Sequence, residues 1–352
     1  MSVDQHADDL LPLRVVALGG GHGLSASLSA LRLVASDLTA VVTVADDGGS
    51  SGRLRAELPI LPPGDLRMAL SALAGERDQP GSYGGAAGAG TTRAPGGDWT
   101  TAFQHRIGGA GSLAGHPVGN LLLAGLMDHL RDPVAALDLA GRLLGARGRV
   151  LPMSCEPLRL TADVRTPDGR RFSIVGQHEV ASTPGQVERV GLAPTNAPAC
   201  PQALQAIADA DVIVLGPGSW YSSVLPHLLL PQLREALSAT AARIVVTLNL
   251  VPQEGETDGW APEEHLRVLR DYAPALRVAT VLAEARAVPD VAALEGAVAE
   301  FGASLVMAAV AESSDPARHD PVLLARAYRT LFMSAGPLAP TMRASAKGEL
   351  WP

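Results

Sequence analysis

Lysine is almost missing from this chain: Lys347 is the only one, and the other 27 of its 28 basic residues are arginine. That absence excludes a Walker phosphate loop, because no G-x-x-x-x-G-K-[ST] string can be written. It also leaves a Schiff-base enzyme one residue, near the end of the chain, as its only candidate lysine. Phosphate must then be held by arginine, by backbone N–H groups or by a metal ion. Cysteine is nearly as scarce. Cys155 and Cys200, far apart in sequence, provide no disulfide scaffold and fit a reducing compartment. No Cys or His cluster has zinc-ligand spacing, since His22, His105, His116 and His129 are scattered. No apolar run reaches the roughly 18 residues of a membrane span. Acidic residues stand near the start, where a signal peptide carries a basic region, so a cytoplasmic protein is expected. Excess positive charge is lacking too: 28 basic against 36 acidic residues give −8, which argues against nucleic-acid binding. No serine is expected to sit in G-x-S-x-G spacing, so a hydrolase-type elbow is not expected, and no convincing nucleophile–base pair stands out.

What is present is an α/β rhythm in a chain of 352 residues with 47% hydrophobic content. Arg14 to Leu18 reads as a buried strand. A glycine turn follows, and then a helix with apolar residues at Leu24, Leu28, Leu31 and Val34. Leu38 to Val44 is β-rich again, which completes a βαβ unit with a parallel strand pair. Asp65 is expected to cap a helix running to Ala74, and helical spacing resumes at Pro117 to Leu130 and Asp132 to Leu144. Gly75 to Gly97, rich in Gly, Ala, Ser and Thr, is read as a mobile insertion spanning about 75–100. Within 150–195, Leu158 to Arg165, the Thr166-Pro167-Asp168-Gly169 turn and Arg171 to Val175 spell a β-hairpin unit. Strands are then expected at Asp211 to Leu215, Arg243 to Leu250, Leu276 to Leu282 and Ser304 to Val310, with a last helix from Val322 to Phe332. The expected fold is a Rossmann-like, doubly wound, mostly parallel sheet with a small inserted β-hairpin unit, a single domain over 14–335 between tails at 1–13 and 336–352.

Three turns that follow expected strands carry the chemistry. The first, Gly19-Gly20-Gly21-His22-Gly23-Leu24-Ser25, lets N–H groups approach a phosphate, although Leu24 breaks the full G-x-G-x-x-G dinucleotide fingerprint. The second runs from Val44 to Arg55. Asp46 and Asp47 can hold Mg²⁺ or orient a ribose, while Ser50, Ser51 and Arg53 can donate to phosphate. The third, Gly216-Pro217-Gly218-Ser219, again offers small residues and a hydroxyl. Asp65 and Arg67 on a helix start, Gly119 and Asn120 in Gly-His-Pro-Val-Gly-Asn, and Asn249 at a strand end complete the candidate pocket. Among these, Asp46, Asp47 and His116 are the candidates for catalysis, and His116 titrates nearest neutral pH. A nucleotide-like anion is the expected ligand, with an NAD(P)-type dinucleotide as an alternative.

The succession GGGHGLS, VTVADDGGSSGRLR, LPPGDLRMALSALA, FQHRI, GHPVGNLLLAGL, ADVIVLGPGSWYSSVLPHLL and NLVPQEGETDG resembles the gluconeogenesis factor family (YvcK-like), which shares a superfamily with 2-phospho-L-lactate transferase (CofD-like). The likeness runs from about Arg14 to about Tyr328, and ADDGGSSGRLR is its most specific part. It implies a Rossmann-like fold that binds a UDP-sugar such as UDP-N-acetylglucosamine, and a regulatory role in cell shape and cell-wall synthesis on gluconeogenic carbon sources. Cell-wall synthesis regulators are the implied partners, and a homo-oligomer is compatible with it. No cofactor beyond Mg²⁺ is implied. By resemblance, Gly20 to Gly23 and Ser219 face phosphates, Asp46 and Asp47 meet the ligand or an ion, and Asn120 and Asn249 line the pocket. Established catalysis is not part of the resemblance; a Mg²⁺-dependent phosphotransferase is the enzymatic alternative. The chain departs from the family at His22 (usually Thr), Met68 (usually Asn) and Pro117-Val118 (usually Ser-Leu).

Overall fold

The structure, a computed structural model, describes residues 10–75, 97–166, 168–176, 186–253 and 256–334. Most of the expected insertion at 75–100, and both tails apart from a few residues, lie outside the described residues.

Among the described residues ten strands form two sheets. The larger has the order β10-β9-β8-β7-β1-β2-β3: Ser304–Ala308, Val278–Glu284, Arg243–Thr247, Val212–Leu215, Leu11–Gly19, Ala35–Val42 and Arg149–Pro152. Every pairing in it is parallel. Parallel strands covered by helices on both faces must be apolar on both faces. Val212 to Leu215 are fully buried accordingly, and Val15 to Leu18 are at most 2% exposed. From β1 the chain winds outward through β2 and β3; from β7 it winds the other way through β8, β9 and β10. The reversal puts a topological switch point between β1 and β7, and ligand crevices of open α/β sheets lie beyond the carboxyl ends of strands there.

The smaller sheet is antiparallel, order β5-β4-β6, from Arg171–Val175, Arg159–Arg165 and Gln186–Ala193. The hairpin of β4 and β5 falls where the sequence puts it, and β6 is an unexpected third strand. Only Val190 and Leu192 of β6 are buried, so its alternation is weak. The Tyr272 hydroxyl accepts from the Val190 N–H at 2.7 Å and ties this sheet to the main body.

Helix starts are corrected in three places. The first helix, α1, spans Gly21–Leu31 with Gly20 as N-cap, so the glycine turn is itself the first turn of the helix. The Gly-Ser-rich stretch after β2 is helical as well, as α2, Gly49–Glu57. Asp65 does not cap α3, Pro63–Ala74: Pro62 is the N-cap, and Pro63 takes the first helical position, where its missing N–H is no loss. Then come α4, Gly97–Gln104, α5, Val118–Leu130, and α6, Pro133–Leu144. A last helix, Pro321–Ser334, packs on α1. No helix among the described residues is long and apolar enough to cross a membrane. Cys155 and Cys200, distant in sequence, have thiols that hydrogen-bond to each other but form no disulfide.

Candidate functional site

The first and third turns meet at the switch point because β1 and β7 are neighbours. They interlock closely: a Cβ on Gly23 would fall on the Pro217 carbonyl and within 2.5 Å of the Gly218 Cα. Gly20 is hemmed in similarly by Asp65, Thr43 and Ser223. Gly21 has φ of +57°, a conformation open to glycine and strained for other residues. The Asn249 amide fixes the other side, accepting from the Gly218 N–H at 2.8 Å and donating to the Gly218 carbonyl at 2.9 Å. Asn249 thus shapes the turn with both ends of its amide. The Gly216–Pro217 peptide is cis.

Ser219 sits at the start of the short helical turn Trp220–Val224, and its hydroxyl and that of Ser222 donate to the Glu256 carboxylate. Burial raises the Glu256 pKa, against the lowering effect of those hydroxyls and the Tyr221 N–H. A carboxylate of the chain itself therefore occupies the Ser219 hydroxyl, the one expected to face phosphate. Trp220 and Tyr221, beside them, pack edge-on against His265 and Trp260 in the core.

Asp46 of the second turn lies beside Asp47 and is also brought close enough to Asp65 of α3 for the two charges to interact. Asp46 accepts from the Gly48 N–H at 2.9 Å and also bonds Ser51, whose Oγ in turn accepts from the Gly64 N–H at 3.1 Å. Asp65 accepts from the Gly21 N–H, joining α3 to the glycine loop. Burial, and then the Asp46 charge, push the Asp65 carboxyl up to about 7. Burial raises Asp46 as well. Hard oxygen donors of this kind suit Mg²⁺, which commonly takes one or two carboxylates and completes its shell with water and substrate phosphates. Among the described residues no group of three or more His, Cys, Asp or Glu gathers as a metal cage.

The arginines are spoken for by the protein. Arg53 donates to the Ser112 and Ala114 carbonyls at 3.3 and 3.0 Å, and Arg55 to those of Asp46 and Leu158 at 2.8 and 3.0 Å. Gly119 is a packing residue, since a Cβ there would lie 2.7 Å from the Phe103 ring. His22, by contrast, is exposed on the first turn of α1.

Four candidates that lie apart in sequence form one hydrogen-bonded chain. Arg67 Nε donates to Asn120 Oδ1 at 3.0 Å, Asn120 Nδ2 donates to Ser50 Oγ at 2.9 Å, and Ser50 Oγ lies 2.7 Å from His116 Nδ1. The expectation that no serine has elbow spacing is corrected by the sequence itself: Gly48-Gly49-Ser50-Ser51-Gly52 reads G-x-S-x-G. Asp65 and Asp46 as the facing carboxylates, and Glu256 on Ser219, had no signal in the linear sequence. Each pairing depends on which turns the sheet order brings together.

A doubly wound, parallel sheet with glycine turns and carboxylates at its switch point defines a Rossmann-like α/β protein. Residues 15–327 match the family model described as 2-phospho-L-lactate transferase CofD. A protein of Mycobacterium tuberculosis (strain ATCC 25618 / H37Rv) named "Putative gluconeogenesis factor" is 54% identical over 278 residues, covering 78% of this chain and 77% of that one. The "Gluconeogenesis factor" of Halalkalibacterium halodurans is 40% identical over 258 residues, 73% of each chain. A crystal structure of a UPF0052 family member from Bacillus halodurans superimposes with a TM-score of 0.76 at 33% identity, over 90% of this chain and 98% of that one. The chain belongs to the gluconeogenesis factor (UPF0052) family, within the CofD superfamily.

Proposed function

We propose that this protein is a cytoplasmic, UDP-sugar-binding regulator, with a UDP-N-acetylglucosamine-like ligand, that serves cell shape and cell-wall synthesis during growth on gluconeogenic carbon. The observation that carries the reading is the junction of Gly20 to Gly23 with Gly216 to Ser219 at the switch point, where side-chain-free residues in the first turn of α1 let the helix N-terminus come close to a diphosphate. The names of the relatives support the metabolic setting. A ligand that binds only the folded state raises its stability by RT ln(1 + [L]/Kd), about 2.7 kcal/mol at a hundredfold excess over Kd. UDP-N-acetylglucosamine is therefore expected to raise the melting temperature by several degrees, while N-acetylglucosamine alone leaves it unchanged. Equal melting curves at millimolar UDP-sugar would sink the reading.

A second reading, Mg²⁺-dependent phosphotransfer, is favoured by the Asp46 and Asp65 carboxylates in one crevice. They would hold the ion, which would neutralise charge on a transferred phosphoryl group. Incubation with nucleotide-activated donors, Mg²⁺ and a deazaflavin alcohol as acceptor tests it: a phosphodiester product is expected, and its absence removes the reading.

A further inference from the structure

Ser50 has the surroundings of an activated hydroxyl. Asn120 and His116 are 2% and 3% exposed, Arg67 is 7% exposed, and Ser50 itself is only half-buried at the crevice. The bonding direction along the chain is fixed from its far end. Arg67 can only donate, so it faces the Asn120 carbonyl oxygen; the amide then turns its NH₂ to Ser50 Oγ. With one lone pair used in that way, the hydroxyl can direct its own proton along the 2.7 Å line to His116 Nδ1. Burial, and the neighbouring Arg53 charge, lower the His116 pKa, which favours the neutral ring that can accept at Nδ1. Ser50 also lies in the first turn of the nine-residue α2, where Gly52 is the first residue whose N–H bonds back to a helix carbonyl, Gly48 O at 3.0 Å. The N–H groups of Gly49 to Ser51 precede that bond and suit developing negative charge beside the hydroxyl. Unlike a strained hydrolase elbow, the positive φ belongs here to Gly49, at +47°, and not to the serine.

We propose that Ser50 is a nucleophile toward activated phosphorus esters, with His116 as its general base and with Asn120 and Arg67 as positioning residues. In the step, Ser50 Oγ bonds to phosphorus, the bond from phosphorus to the leaving oxygen breaks, and the hydroxyl proton passes to His116 Nδ1. The imidazolium returns that proton to the departing oxygen. Water then attacks the phosphoserine, giving its proton through His116 to Ser50 Oγ as the phosphate product leaves. This goes beyond ligand binding and does not depend on the identity of the nucleotide-sugar.

The test uses the full chain, without nucleotide, and a fluorophosphonate probe. Ser50 Oγ displaces fluoride from phosphorus, and the proton again passes to His116. Peptide mapping by mass spectrometry is expected to find one adduct, on Ser50, absent in Ser50→Ala. Labelling should be slowed at least ~100-fold in His116→Gln, the usual scale of a general base. Added imidazole should restore labelling in His116→Gly, a rescue that a purely structural histidine would not show. No adduct on Ser50 in protein with an intact melting transition overturns the proposal, as does labelling that is indifferent to His116. Where the His116 variants do not fold, wild-type labelling that persists in urea above the unfolding midpoint overturns it instead. UDP-sugar stabilisation is read by melting and labelling by mass, so each can fail alone.

Discussion

Gly23 leaves no room for a side chain, and the atoms it would strike are backbone, which cannot rotate away. Gly23→Ala is therefore expected to lower stability by about 1–3 kcal/mol, the usual range for overpacking, and to weaken UDP-sugar binding along with it. Urea melts and ligand-induced thermal shifts measure the two effects. Asp65 makes a different kind of demand. Its folded pKa, about 7, lies above the ordinary carboxylate value, so between about pH 4 and pH 7 the folded state binds more protons than the unfolded. Its contribution is thus fully favourable at low pH and is lost as pH rises through 7. Asp65→Asn, measured in EDTA, should match wild type near pH 4 and exceed it at pH 8 by roughly 2–4 kcal/mol at most, since each pKa unit is worth about 1.4 kcal/mol. His227 runs the other way. Burial holds it down to about 4, so its contribution is present above about pH 6.5 and fades as pH falls toward 4. His227→Gln should flatten that acid limb of the stability profile.

Between one element and the next, the site depends on turns held by single side chains. Asn249→Ala removes both bonds to Gly218 and leaves that buried N–H without its side-chain partner, a loss of about 1–3 kcal/mol by urea denaturation. Most strands were legible beforehand because a parallel strand buried on both faces reads as an unbroken apolar run, as in Val212 to Leu215. Helix α2 was not, since glycine and serine are weak helix formers and its helicity comes from its place after β2. The glycine turns and Asp46 could be seen in sequence because they are local. The Ser50–His116 pair could not, being 66 residues apart and joined only when α5 packs beside α2.

Across the whole molecule, distant segments close on one another around the third turn. Thr247 on β8, Tyr328 on the last helix and Ser27 on α1 form a buried hydroxyl chain, with bonds of 3.0 and 2.8 Å, and Ser27 donates onward to the Gly216 carbonyl at 3.2 Å. Tyr328→Phe cuts it in the middle. A drop of about 1–2 kcal/mol in unfolding free energy is expected, with a smaller ligand-induced thermal shift because Gly216 loses its brace.

The pairing of β1 with β7 has a temporal side. Its first half emerges from the ribosome with Gly19 and its second with Leu215, so at about 5–20 residues per second the two are separated by roughly 10–40 s. Throughout that interval the nascent sheet holds β1 with one edge bare, open to strand pairing with any neighbouring chain. The glycine loop meanwhile faces solvent without its opposing turn. Covering that edge does not yet complete the crevice, because Asn249 and Tyr328, which hold the third turn, leave the ribosome later still.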